Sequence, residues 1–155
     1  MQRFTGFTED TTRFLGELAK HNDKQWFEAN RERYERVWLE PARLFVEALG
    51  PKLKALSPAM QFEPKFDKSL VRIHKDMRFN PPGKGPFKTF HEVRFWEGDR
   101  QQPAFSVRLH PVTCLIMVGI PEFAPPLLAR YRKAVLGDQG RALVKAKKDV
   151  LRHRA

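Results

Sequence analysis

At Ser57-Pro58 the spacing of apolar residues changes, and that change limits the folds open to the chain. Before it, apolar residues recur every three to four positions, the repeat of a helix with one buried face. After it they alternate, the repeat of a half-buried strand. Thr8 caps a first helix bearing Phe14, Leu15 and Leu18, and His21-Asn22 breaks it. Asp23 caps a second, with Trp26, Phe27, Asn30, Tyr34, Val37 and Trp38 at helical spacing. Pro41 suits the first turn of a third, whose stripe is Leu44, Phe45, Ala48, Leu49, Leu53 and Leu56. Gly50-Pro51 is expected to kink or split it, because proline removes a helical donor.

Beyond the change, residues 61–66, 69–75, 88–96, 104–110 and 113–120 read as strands. In the second, Val71, Ile73 and Lys75 face one way and Leu70, Arg72 and His74 the other. In the fourth, Phe105, Val107 and Leu109 point inward, and Ser106, Arg108 and His110 outward. The fifth is nearly all apolar, the pattern of a central strand buried on both faces, with Cys114 an inert thiol inside it. Pro121 closes the sheet. Pro125-Pro126 opens a helix that Gly137 stops, and a last helix runs from about Gln139, still uncapped at Ala155. The expectation is an α+β fold: N-terminal helices, an antiparallel meander of about five strands, then C-terminal helices, all in one domain over residues 1–155.

Composition narrows the function. With 41% apolar residues and 13 Phe, the chain has material for a real core. No apolar run reaches the roughly 18 residues of a membrane span, and no signal-peptide core opens the chain. A single cysteine excludes an intrachain disulfide and suits a reducing, cytoplasmic home. Lys and Arg number 29 against 18 Asp and Glu, a net charge of +11, which favours phosphate-bearing ligands or nucleic acid. Residues 130–155 hold nine of these cations against Asp138 and Asp149. Arg141, Lys145, Lys148 and Arg152 share one face of the last helix, where they could track a phosphate backbone or simply meet water.

The densest chemistry lies in Arg72-Ile-His-Lys-Asp-Met-Arg-Phe79 and the Pro/Gly loop after it, with Lys84 between Gly83 and Gly85. This stretch resembles a bacterial family, with fungal members, catalogued as domain of unknown function 2461. The family motif reads Arg-x-x-Arg-Asp-x-Arg-Phe-x-x-x-Asp/Asn-Lys-x-x-Tyr. Arg72, Asp76, Arg78, Phe79 and Lys84 match it in register, while Lys75, Gly83 and Phe87 depart from it. Phe4-x-Gly6-Phe7, His21-Asn22, Gln25-Trp26-Phe27, Tyr34, Pro41, Pro86-Phe-Lys-Thr89 and His110-Pro111 are also similar to the family. Its members are usually longer, so the resemblance implies a version shortened at the C-terminus. The resemblance implies no activity or cofactor, and the departures at Gly83 and Phe87 remove two groups that a catalytic site could use.

Three uses of the motif stay open. Arg72, Arg78, Lys84, Lys88 and Arg108 with Asp76 can bind a phosphate-bearing anion, since Arg grips phosphate with two donors and Lys adds a mobile charge. The same residues can serve a phosphoryl-transfer or phosphodiester-hydrolysing enzyme, with His74, His110, Asp76 or the pair His91-Glu92 moving protons. Or Asp76 can pair with Arg78 or Arg72 and hold the loop, with Phe79 anchored in the core and no ligand at all. His74, Asp76 and His110 are the only metal set worth weighing, and no metal site is assigned. Phe87, Phe90, Phe95 and Trp96 lie near enough to stack on nucleic-acid bases, though aromatic residues in alternating strands are mostly core. Cofactor and oligomeric state cannot be read from these residues.

Overall fold

A computed structural model describes residues 3–76, 78, 83–98, 103–120 and 123–152, with the backbone alone at 103 and 104. Met77, Phe79, residues 80–82 of the Pro/Gly loop, Pro121 and Ala155, which figure in the expectations above, lie outside the described residues. The chain forms two compact units, residues 1–120 and 121–155.

The first unit opens with helix α1, Glu9–Lys20, entered from Thr8, whose backbone N–H donates to Thr11 Oγ1 at 3.2 Å. His21 and Asn22 end it. Asp23 caps α2, Lys24–Ala29, by accepting from the Trp26 N–H at 2.8 Å. After Asn30 one helical run continues to Leu56: α3, Arg31–Tyr34; a π-helical turn, Glu35–Leu39; and α4, Glu40–Leu56. The expected separate third helix at Pro41 is therefore the continuation of the second. The reason lies in how the missing proline donor is replaced. Pro41 has no N–H to give the Val37 carbonyl four residues back. The buried Thr11 hydroxyl donates to that carbonyl instead, at 2.7 Å. Arg33 adds ion pairs to Asp10 and Glu17 of α1, at 2.6 and 2.5 Å.

Nor does Gly50-Pro51 split α4. Pro51 lies on the exposed face, where water can serve the carbonyl it leaves without a donor. Gly50 lies against the Phe62 ring, in a space that a side chain would fill.

Four strands form the antiparallel sheet in sequential order: β1, Met60–Gln61; β2, His91–Glu97; β3, Pro103–Leu109; β4, Cys114–Val118. Among the described residues the sheet thus has four strands, where about five are expected from the alternation. The stretch 69–75 changes partner midway and builds no ladder of its own. Val71 N–H donates to Glu92 O and Arg94 N–H to Ser69 O, whereas Lys75 N–H donates to Pro86 O and Lys88 N–H to Ile73 O. β4 corrects a second expectation. It is the last strand of the sheet, and Cys114, Leu115, Ile116 and Val118 are exposed. An apolar run does not distinguish a central strand from an edge one.

The core joins Phe14, Leu15 and Leu18 of α1, Phe27 of α2, Tyr34 and Trp38 of the helical run, and Val93 and Phe95 of β2. His91 is also there, 2% exposed, stacked on Trp38 with centroids 4.2 Å apart. Its Nε2, like Tyr34 Oη and Trp38 Nε1, is buried without a hydrogen-bond partner among the described residues. The second unit consists of α5, Pro125–Val135, and α6, Asp138–Arg152. Among the described residues no helix is long and apolar enough to cross a membrane.

Burial pushes the His91 imidazole well below its ordinary value near 6.5. The unfolded chain then takes up a proton that the folded one refuses. The stability this gives is full above about pH 6.5 and is lost as pH falls below it. Urea unfolding at pH 7.0 and 5.5 should show a loss of about 1 kcal/mol that His91→Phe removes. An unchanged loss in His91→Phe would assign the titration to another group.

Candidate functional site

The basic motif is held by the break after α1. Asn22 Nδ2 donates to Phe87 O, and Phe87 N–H donates back to Asn22 Oδ1, both at 2.9 Å. A side chain at Gly85 would overlap the Asn22 backbone carbonyl, so this approach requires glycine. Phe87 is buried and stacks on Phe27 with centroids 4.3 Å apart. Around this clamp, residues 73–75 run antiparallel to 86–88, with a bridge at His74 and Phe87. Two of the motif's ammonium groups brace the pair: Lys75 Nζ donates to Gly85 O at 2.8 Å, and Lys88 Nζ to Arg72 O at 2.6 Å.

The predicted site residues separate into two groups. Asp76 and Arg78 form an exposed local pair. Asp76 accepts from Arg78 Nη2 at 2.6 Å, from Nε at 3.0 Å and from its backbone N–H at 3.1 Å. These bonds hold the Asp76 carboxyl below its usual range, which suits a structural carboxylate better than a base. Lys84 is exposed beside Gly83, whose φ of +79° is in the left-handed region that glycine favours. Arg72 pairs with Asp67 and Lys88 lies half-buried, and these two line a cleft of about 280 Å³ with Lys68, Arg94, Trp96 and Asp67. Asp76, Arg78, Lys84 and His110 line no part of it.

Register explains the cleft. On β2, His91, Val93 and Phe95 face the core, which turns Glu92, Arg94 and Trp96 to the other side. Arg108 of β3 stands directly opposite Glu92. Glu92, 3% exposed, accepts from Arg94 Nε at 2.6 Å and from Arg108 Nε at 2.9 Å, so one carboxylate serves two guanidiniums. Arg108 also sits 4.3 Å over the Phe90 ring. Burial, then Arg94 and Arg108, push the Lys88 ammonium below its ordinary value; Glu92 and Asp67 oppose this without cancelling it. Lys68 shares Glu63 with Lys65, at 3.2 and 2.8 Å. The Trp96 indole Nε1 is buried with no hydrogen-bond partner among the described residues.

His74 packs its ring on Phe27 and Phe87. Burial, then Arg31, lower its pKa, so the imidazole is neutral at pH 7. His110 lies just past β3 with its ring 5.5 Å from Phe90. Of His91 and Glu92, the other proton-transfer candidates, His91 is core and Glu92 is tied to two arginines. Among the described residues no three of His, Cys, Asp and Glu stand close enough to hold a metal ion. Of the aromatic residues near the motif, Phe87, Phe95 and Trp96 are buried and Phe90 lies under Arg108, which leaves no open stacking platform among these four. On α6, Arg141 pairs with Asp138, and Arg152 with Asp149 at 3.7 Å.

Lys68 and Arg94 also line the cleft, although charge density in the sequence does not single them out. The alternation of Glu92, Arg94 and Trp96 opposite Val93 and Phe95 was the available signal. The family model described as "Conserved hypothetical protein (DUF2461)" matches residues 10–153. No curated protein and no solved structure matches the chain.

If the clamp holds the cleft, Asn22→Ala should cost about 1–3 kcal/mol, the scale of leaving buried backbone groups unpaired. Gly85→Ala should cost at least as much, through overlap with the Asn22 carbonyl. Denaturant titrations of both variants measure this, and losses under about 0.5 kcal/mol would show that the clamp is dispensable.

Proposed function

We propose, for a chain that belongs to the DUF2461 family and takes no activity from that description, that the protein binds a small phosphate-bearing anion in the cleft of Lys68, Arg72, Lys88 and Arg94. The observation that carries this reading is the gathering of four cations on one cleft, where Asp67, Glu63 and Glu92 pair with Arg72, Lys68 and Arg94 while Lys88 lies half-buried with its ammonium on a backbone carbonyl. Half-burying an ammonium beside guanidiniums is unfavourable, and an anion offsets that cost. Arg72 and Arg94 offer planar donors, and Lys88 and Lys68 offer point charges. Arg108 supports Arg94 through their shared Glu92. Asp76, Arg78 and Lys84 stand outside the cleft, where they would meet only a larger ligand. A nucleic-acid strand is such a ligand, but the buried aromatic residues favour the small one. We propose a bacterial cytosol as the setting, on the family resemblance and the lone cysteine.

A second reading makes the same surface a phosphoryl-transfer or phosphodiester-hydrolysing enzyme. The observation favouring it is His74, an imidazole kept neutral near Arg72 and so able to accept a proton at pH 7. Release of nitrophenol from nitrophenyl phosphate or bis(nitrophenyl) phosphate, lost in His74→Asn, would support it. Binding without release supports the first reading.

Isothermal titration with inorganic phosphate at low salt tests the cleft. Lys88→Gln and Arg94→Gln should each weaken binding about tenfold or more, as expected for a lost charge-assisted hydrogen bond. Arg78→Ala should leave it unchanged. Binding that depends on Arg78 and not on Arg94 would move the site to the loop.

A further inference from the structure

Arg72 lines a second cavity besides the basic cleft, one of about 250 Å³. The chain passes from one to the other twice. Phe66 borders the second cavity and Asp67 the cleft; Val71 borders the cleft, and Ile73 and His74 the second cavity. The two differ in chemistry. The cleft is cationic, whereas the second cavity has Phe27, Leu39, Ile73 and Phe66 in its walls. Its two cations are already engaged: Arg31 is held by Glu28 at 2.6 Å, and Arg72 by Asp67, while Glu35 is its one carboxylate.

Two further observations mark the cavity as more than a packing gap. The π-helical turn contributes Glu35 and Leu39 to its wall, and such turns recur at functional sites. Tyr34, also in the wall, keeps its hydroxyl buried without a hydrogen-bond partner among the described residues. Apolar walls with a few polar groups are the usual make-up of a small-molecule site.

We infer that the two cavities form one bipartite site for a phosphate monoester with an aromatic body, the phosphate held in the cleft and the ring in the second cavity, with Arg72 between them. This rests on the reading of the cleft as a phosphate site. The neutral His74 imidazole, packed edge-on to Phe27, gives the ring an aromatic neighbour rather than another charge. Inorganic phosphate would fill only the cleft.

The test compares inorganic phosphate with phenyl phosphate by isothermal titration at constant ionic strength. Wild type, Phe66→Ala and Arg94→Gln are each measured; Phe66 is 38% exposed, so its truncation spares the core. The ring should tighten binding about tenfold, the scale of burying a modest apolar area. Phe66→Ala should bring the two ligands within about threefold of each other while inorganic phosphate binds as in wild type, which also reports that the variant is folded. Arg94→Gln should weaken both ligands alike. Equal affinity for the two in wild type overturns the bipartite site and leaves the cleft standing, as does a ring preference that survives in Phe66→Ala. If neither ligand binds wild type, the cleft reading fails and the bipartite site fails with it.

Discussion

The pair of hydrogen bonds between the Asn22 side chain and the Phe87 backbone is the constraint on which the candidate site depends. An amide side chain acts here as one residue of a strand, donating and accepting opposite a single backbone unit. The bond pair joins the end of α1 to a segment 65 residues further on. It needs glycine at position 85 because the Asn22 carbonyl occupies the space of a side chain. With Phe87 fixed on Phe27, the next residue is positioned as well: Lys88 turns to the Arg72 carbonyl and enters the cationic cleft. Sequence, local geometry and electrostatics therefore meet within four residues.

A second constraint shapes the helical layer. Pro41 leaves the Val37 carbonyl without its helical donor, and Thr11 supplies one from α1. The hydroxyl that does so is fully buried, so the bond also fixes how α1 lies on the long helical run. The π-helical turn ends where the Glu40 N–H donates to Glu35 O, five residues back, immediately before Pro41. That turn presents Glu35 and Leu39 to the second cavity. A proline that reads in sequence as a helix start therefore marks a change of helical pitch inside a continuous helix.

Features with a local cause were legible from the residues. The caps at Thr8 and Asp23, the break at His21-Asn22 and the change from helical to alternating spacing all depend on near neighbours. The misreadings depend on distant partners. The apolar stretch 113–120 looks central, yet its place at the end of the sheet is decided by strand order. The alternation in 69–75 suggests a strand, yet that segment divides its bonds between β2 and residues 86–88. The candidate site follows the same division. Arg72 and Lys88 stand out by density of charge. Arg94 and Lys68 join them only through cross-strand register and the fold of residues 63–70. Asp76 and Arg78, the most conspicuous pair in the motif, bond each other outside the cleft.

The most direct test of the cleft is the titration of Lys88, followed by NMR at its ε-methylene carbon with and without saturating inorganic phosphate. Crowded by Arg94 and Arg108 and partly desolvated, its ammonium should titrate below an ordinary lysine in the free protein. A phosphate bound among those cations favours the charged form, so the Lys88 pKa should rise on saturation. A Lys88 titration identical in both conditions would contradict the account, because an anion in the cleft cannot leave its half-buried ammonium unaffected.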